Sequence, residues 1–392
     1  MATDETDNKF ATKAVHTGTK QIEGAVNTPI FQSSTYKLTE ERYAGWAAGA
    51  QHTLLYSRLS SVNSDAATEK ICAMEGAEDG LLFASGMAAI STTLLGLLSR
   101  GDHCVAAPDV YGGTYGLMTE ELPRFGIEVT FANMTDPSSY EAAIQENTKI
   151  LYIETLSNPT LKVADVPAFA EIARRHNLLL IIDNTFTTPW ATQPIAMGCD
   201  LVIHSTTKYL GGHSDIVGGA VVGNAELIAT LFLKKVHFGG CPDPHACYLL
   251  ERGMRTLHAR MPIHVSNSVE LAKRLEQHPK VNSVNHPMLE GDSQYHLAQN
   301  IMPRGTGMLA FTLHGGDEAA IKFVSNLEII FEATSLGGVE SLAECPFNTS
   351  HMFVPEDVRI AAGINPGFVR ISVGIEDVED LWNDISQALT SI

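Results

Sequence analysis

Apolar and polar positions settle into a regular rhythm only after about residue 62. Before that, Gly, Pro, Ser and Thr interrupt every run, and residues 1–61 read as an N-terminal extended arm able to reach a neighbouring subunit. Beyond it, short unbroken apolar runs alternate with helical patterns. Strands are predicted at 81–84, 103–107, 127–131, 150–154, 178–183, 201–204 and 219–222. Helices are predicted at 64–74, with Ser64 as cap, and at 86–98, 114–125, 139–145 and 167–176. Strands apolar throughout are strands covered by helices on both faces, so the alternation predicts a mainly parallel, doubly wound sheet over 62–253. A second pattern follows, with a long helix over 249–276, strands at 281–284, 308–313 and 369–373, and a last helix at 378–389. It predicts a smaller C-terminal α/β domain over 254–392.

The 392 residues are enough for two or three domains. At 44% hydrophobic the chain is too apolar for disorder to be its main state. No apolar run approaches the ~20 residues of a membrane span. Twenty-six basic against 45 acidic residues give a net charge of −19, which disfavours nucleic acid and anionic membranes as partners. The acidic start over residues 1–8 lacks the basic and then apolar order of a signal peptide, so a cytoplasmic protein is expected. Six cysteines lie scattered without a CxxC, as befits reduced, mostly buried thiols.

Ligands of open α/β sheets sit beyond the carboxyl ends of the strands. Four polar segments fall at such ends: 85–87, 108–114, 183–185 and 204–215. Lys208 lies among hydroxyls and glycines after a buried strand. It is either a solvated surface charge or a desolvated amine that loses its proton and attacks a carbonyl to form a Schiff base. Asp183 either caps the next turn or faces a ligand cation, such as the protonated ring nitrogen of pyridoxal phosphate (PLP). Ser85-Gly86-Met87 opens a helix; it is a capped tight turn or, with the Ser205 and Thr207 hydroxyls, a phosphate site. Tyr111, in Tyr111-Gly112-Gly113-Thr114, is a half-buried loop tyrosine or a stacking partner for a planar ring.

Two patterns are set aside. Gly305-Thr306-Gly307-Met308-Leu309-Ala310 matches the dinucleotide pattern GxGxxA but leads into a predicted strand rather than a helix. His237, Cys241, His245 and Cys247 match no usual zinc spacing.

Taken together, these motifs resemble the PLP-dependent Cys/Met metabolism family of trans-sulfuration enzymes: cystathionine γ-lyase, cystathionine γ-synthase, methionine γ-lyase and their relatives. The likeness runs from Ala14-Val15-His16-Thr17-Gly18 to the segment 370–377. It is most specific in Ser205-Thr206-Thr207-Lys208-Tyr209, Tyr111-Gly112-Gly113-Thr114, the segment 154–160, Asp183-Asn184-Thr185-Phe186 and the segment 335–342. The resemblance implies a PLP-dependent aminotransferase type I-like fold and PLP as cofactor. It implies that Lys208 holds the cofactor covalently and then shuttles protons, that Asp183 pairs with its ring nitrogen, and that Tyr111 stacks on the ring. Gly86, Met87, Ser205 and Thr207 are expected on the phosphate. Tyr56 and Arg58 are expected on the phosphate of a neighbouring subunit, which implies a catalytic dimer paired into a homotetramer. Asn158, also counted among the cofactor contacts, is expected with Ser335 and Arg370 on the substrate carboxylate, where an arginine fork matches a carboxylate bidentately. Thr334 and Gly113 are expected beside the substrate.

The implied chemistry is γ-elimination of a sulfur amino acid to a 2-oxo acid, ammonia and a thiol, or γ-replacement by an added nucleophile. Relatives that handle cystathionine carry an acid, an arginine and a glutamate where this chain has Leu55, Gly116 and Thr334. The loss of that charge favours a smaller thioether such as L-methionine. Methionine γ-lyases in turn carry a cysteine where this chain has Gly113. Methionine γ-lyase is therefore the first expectation, cystathionine γ-lyase the second and γ-replacement the third.

Overall fold

The computed structural model describes residues 8–352 and 354–392, so the acidic residues 1–7 lie outside the described part. Seven strands form the larger sheet: β1 (Asp79–Phe83), β2 (His103–Ala106), β3 (Glu128–Phe131), β4 (Thr148–Glu154), β5 (Leu179–Asp183), β6 (Leu201–Ser205) and β7 (Gly219–Gly223). Their spatial order is β1-β7-β6-β5-β4-β2-β3. Leu82, Leu151, Ile153, Ile181, Val202 and Val221 are all buried in one core, as expected of a sheet covered on both faces.

All pairings in this sheet are parallel except those of β7, which runs antiparallel to both β1 and β6. The β6–β7 connection over 206–218 contains no helix. A parallel return needs a long crossover, usually helical, so β7 folds back beside β6 instead. The carboxyl ends of the other six strands consequently share one edge. Lys208 lies in the fold-back loop, at that edge.

Five further strands form the second sheet: β8 (Val281–Asn285), β9 (Met308–Leu313), β10 (Phe331–Glu332), β11 (Leu342–Glu344) and β12 (Phe368–Ser372). Their order is β10-β11-β12-β9-β8, antiparallel apart from the β10–β11 pair. Helices Leu257–Glu276, Gly316–Ser325 and Val378–Thr390 bury Leu271, Phe323 and Ile385 against Phe311 and Ile371 of this sheet. The fold is thus α/β, with a central, mostly parallel sheet and a smaller second sheet.

Several elements depart from the pattern-based expectations. The N-terminal stretch is not extended throughout, because helices Phe10–His16 and Glu40–Ala47 interrupt it. The helix expected from Ser64 is Val62–Glu75, capped by Ser61, with Ser64 completing the capping box from inside. The single helix expected over 249–276 is two, Pro244–Met254 and Leu257–Glu276. The break follows Gly253, where a Cβ would lie 2.2 Å from Gly211 O, so the chain turns where it presses on the lysine loop. The stretch 112–125 stays helical in direction but passes from α to π to 3₁₀ winding, the last turn carrying Pro123. Helix Ala225–Phe238 was not singled out in the sequence; its apolar face packs on the sheet through Ile228 and Leu231.

Ile181, fully buried in the middle of the large sheet, tests this core. Ile181→Ala is expected to lower the unfolding free energy by about 2–5 kcal/mol. The measurement is the urea midpoint, with the slope of the transition unchanged.

Candidate active site

A cavity of about 970 Å³ opens at the shared carboxyl edge and is closed on its far side by the second sheet. Ser85, Gly86 and Met87 enter it after β1, Tyr111 and Gly113 after β2, Asn158 after β4, Asp183 at the end of β5, Ser205 at the end of β6, and Thr207 and Lys208 just beyond it. Thr334, Ser335 and Arg370 line it from the second half of the chain. Tyr56 and Arg58 lie elsewhere. Arg58 donates from Nη1 to Val236 O at 2.7 Å and stacks 5.5 Å above the half-exposed Tyr56 ring.

Lys208 is held from both sides. Its backbone N–H donates to Ser205 O at 3.2 Å, and its carbonyl accepts from Gly212 N–H at 2.8 Å. Gly337 presses on it: φ is +78°, and a Cβ there would sit 2.5 Å from Tyr209 N. The amine donates to Ser335 Oγ at 2.6 Å. Burial, with the nearby Arg370 charge, pulls its pKa down to about 8, while Glu344 works the other way. At pH 7 that raises the neutral, nucleophilic fraction by about two to three orders of magnitude over an ordinary lysine.

Asp183 caps the next turn and is also a lining residue of the cavity. Its Oδ1 accepts from Thr185 N–H at 3.0 Å and from Thr185 Oγ1 at 2.5 Å, which caps the turn. Its carboxylate also lines the cavity. In strand register it lies beside Glu154, which lines the cavity as well. Burial pushes both carboxyls up; the Asp183 charge raises Glu154 further, while the Thr185 hydrogen bonds work against the rise at Asp183. Two adjacent acids in a dry site call for a cation, and a protonated ring nitrogen is one.

The anion end lies at the start of helix Gly86–Leu97. Ser85 Oγ caps it by accepting from Ala88 N–H at 3.0 Å, and Gly86 and Met87 of its first turn line the cavity. Gly86 leaves room for Ser205, since a Cβ there would come within 3.1 Å of its Oγ. Thr207 Oγ1 is tied to the backbone of Gly218. Tyr111 presents a half-exposed ring at the cavity. Gly113 sits against that ring, where a Cβ would approach Cε1 to 2.6 Å. The lack of a side chain at 113 is therefore what allows this ring position.

Arg370 sits at the opposite end on β12, 3% exposed. Its Nη1 donates to Asn158 Oδ1 at 2.8 Å, its Nη2 to Ser335 O at 2.9 Å, and Nη2 lies 2.9 Å from Glu344 Oε1. Its Nε is buried without a partner.

The donor set fits pyridoxal phosphate: helix N–H groups and hydroxyls for a phosphate, a carboxylate for the ring nitrogen, an aromatic face, and an activated lysine. Single-sequence reasoning did not pick out Glu154, Thr185 or Glu344 as site residues. Glu154 accepts from Tyr111 N–H at 2.7 Å and Asn158 N–H at 3.1 Å, so one carboxylate sets both loops. A lone acid at the end of an apolar strand was the available signal, and it was used only at Asp183. The glycine pattern at 305–307 leads into β9, not into a helix. Among the described residues there is no group of three His, Cys, Asp or Glu placed to hold a metal, and no helix long and apolar enough to cross a membrane.

The lowered lysine makes a testable prediction. The rate at which the apoprotein captures pyridoxal phosphate, read as adduct trapped by borohydride, should rise with pH to a midpoint near 8. Arg370→Met should move that midpoint upward, because a positive neighbour is removed.

Comparison with known proteins agrees with this chemistry. The family model described as Cys/Met metabolism PLP-dependent enzyme matches residues 11–390. Cystathionine gamma-lyase of Bacillus subtilis (strain 168) is 43% identical over 98% of this chain and 100% of its own length. L-methionine gamma-lyase of Porphyromonas gingivalis is 39% identical over 98% of this chain and 97% of its own length. The crystal structure of cystathionine gamma-lyase from Lactobacillus plantarum complexed with L-serine superposes with a TM-score of 0.92 at 35% identity, covering 98% of this chain and 99% of that one. The chain belongs to the PLP-dependent enzymes of Cys/Met metabolism.

Proposed function

We propose that the protein catalyses γ-elimination from a small thioether amino acid, L-methionine or a close analogue, releasing a 2-oxo acid, ammonia and a thiol. The observation that carries this reading is the uncharged cavity wall at Gly116 and Thr334. The second amino-acid end of cystathionine needs charged partners, and its desolvation without them costs affinity. Met352, Val354 and Pro355 add apolar lining suited to an S-alkyl group.

In this reading Arg370 and Asn158 hold the substrate carboxylate. Asp183 holds the proton of the cofactor ring nitrogen, Tyr111 covers the ring, and the N–H groups of Gly86 and Met87 with the Ser205 and Thr207 hydroxyls hold the phosphate. The bound cofactor supplies an electron sink for the charge that develops at the substrate Cα. Lys208 Nζ takes the Cα proton, its lowered basicity matching a base that works near neutral pH. Ser335 Oγ gives that amine a fixed direction. The Tyr111 hydroxyl delivers a proton to the departing sulfur. A second copy of the chain brings its Tyr56 and Arg58 to the phosphate, which makes the catalytic unit a dimer, paired into a tetramer.

A second reading, cystathionine γ-lyase, is favoured by Glu120, an exposed acid on the cavity lining that is able to meet a distal ammonium.

The experiment is a substrate panel on PLP-loaded protein, following 2-oxobutyrate from L-methionine, L-cystathionine, L-homocysteine and O-acyl-homoserine. L-Methionine is expected to show the highest kcat/KM, and Lys208→Ala to lower it by about 10²–10⁴-fold. Cystathionine as the best substrate, lost on Glu120→Gln, would move the protein to the second reading. Turnover confined to O-acyl-homoserine with a captured thiol would place it among the γ-replacement enzymes.

A further inference from the structure

Glu344 enters the cavity beside the arginine assigned to the substrate. The β11–β12 register places Glu344 opposite Arg370, so backbone pairing fixes the two side chains on one another. Glu344 Oε1 lies 2.9 Å from Arg370 Nη2, with the two side chains 2% and 3% exposed. Glu344 is also held independently of the arginine. Its Oε1 accepts from Ser350 Oγ at 2.9 Å and its Oε2 from Thr349 Oγ1 at 3.1 Å. A carboxylate with two donors besides the guanidinium stays in place whatever the arginine does.

This arrangement bears on how tightly the site grips an anion. A buried guanidinium facing a carboxylate in a dry cavity is a strong trap. The amino acid that enters and the 2-oxo acid that leaves both carry that carboxylate. A tight grip common to both adds nothing to turnover and slows release. Here part of the arginine's charge is already offset before any ligand arrives. We propose that Glu344 is a positioning residue that sets the affinity of the site for the substrate carboxylate, acting as a resident competitor on Arg370. The proposal rests on the reading that Arg370 holds that carboxylate. Its sign is distinctive. If Glu344 merely orients the arginine, its loss weakens carboxylate binding; if it competes, its loss strengthens it.

The test is calorimetric titration of the holoenzyme with two probes. One is 3-(methylthio)propionate, which has the carboxylate and no amine. The other is 3-(methylthio)propylamine, which has the amine and no carboxylate. Glu344→Gln keeps the shape and the hydrogen-bond acceptor while removing the charge. It is expected to tighten propionate binding about tenfold and to leave the amine within about twofold. The KM for L-methionine should fall in parallel with the propionate Kd. Thr349→Val takes a donor from Oε2 and leaves the carboxylate more fully on the arginine. It is expected to weaken propionate binding about two- to threefold, and it carries the test by itself if the Gln variant does not fold. Weaker or unchanged propionate binding in Glu344→Gln, or tighter binding in Thr349→Val, overturns the inference. Arg370→Met separates the two levels. If it loses propionate binding while Glu344→Gln fails to tighten it, the competitor role alone falls. If it binds propionate like the parent, the carboxylate reading of Arg370 falls with it.

Discussion

A guanidinium that stays charged has to be satisfied wherever the fold buries it, and Arg370 is 3% exposed. Its partners come from three places: Asn158 beyond β4, the Ser335 carbonyl before β11, and Glu344 at the end of β11. The first belongs to the large sheet and the other two to the small one. This single charge therefore has partners on both sheets and ties them to each other across the cavity. Ser335 takes an uncommon φ of +91° to do so. Its carbonyl meets the arginine while its hydroxyl meets the lysine. A strained residue at the junction of two functional groups is where such strain is usually kept.

The dryness that makes Arg370 demanding also prepares the other groups. It pulls the Lys208 amine down and pushes the Asp183 and Glu154 carboxyls up. Each shift disfavours the charge that water would have supported. The cavity thus keeps two adjacent acids at its floor and a buried guanidinium with one unpartnered donor at its other end. Hydroxyls such as Thr185 aim the acids without adding charge of their own.

Much of this is legible in the sequence. Apolar runs identify the inner strands of the large sheet, because burial on both faces favours that pattern, whereas the edge strand β3 carries Glu128 and Thr130 and is less buried. Asp183 stands out as a polar residue ending such a run, and Lys208 as a lysine in the polar segment that follows another. The direction of β7 was not legible, since an apolar strand reads the same both ways and only the helix-free loop before it decides. The break at 255–256 was hidden too, because the apolar spacing continues across it. Glu344 was missed for a different reason: its partner is 26 positions along the chain, and antiparallel pairing rather than local spacing brings them together. Glu154 acts on backbone N–H groups, which leave no mark in side-chain identity.

The order of the pieces along the chain gives them an order in time. A nascent chain that has emerged as far as Gly223 already carries all seven strands of the large sheet and, with them, Gly86, Tyr111, Asp183 and Lys208. Arg370 and Glu344 leave the ribosome much later, after β8 and β9. Because domains tend to fold in order of synthesis, the residues that the large sheet brings to the cavity precede Arg370 and Glu344, which close over them last.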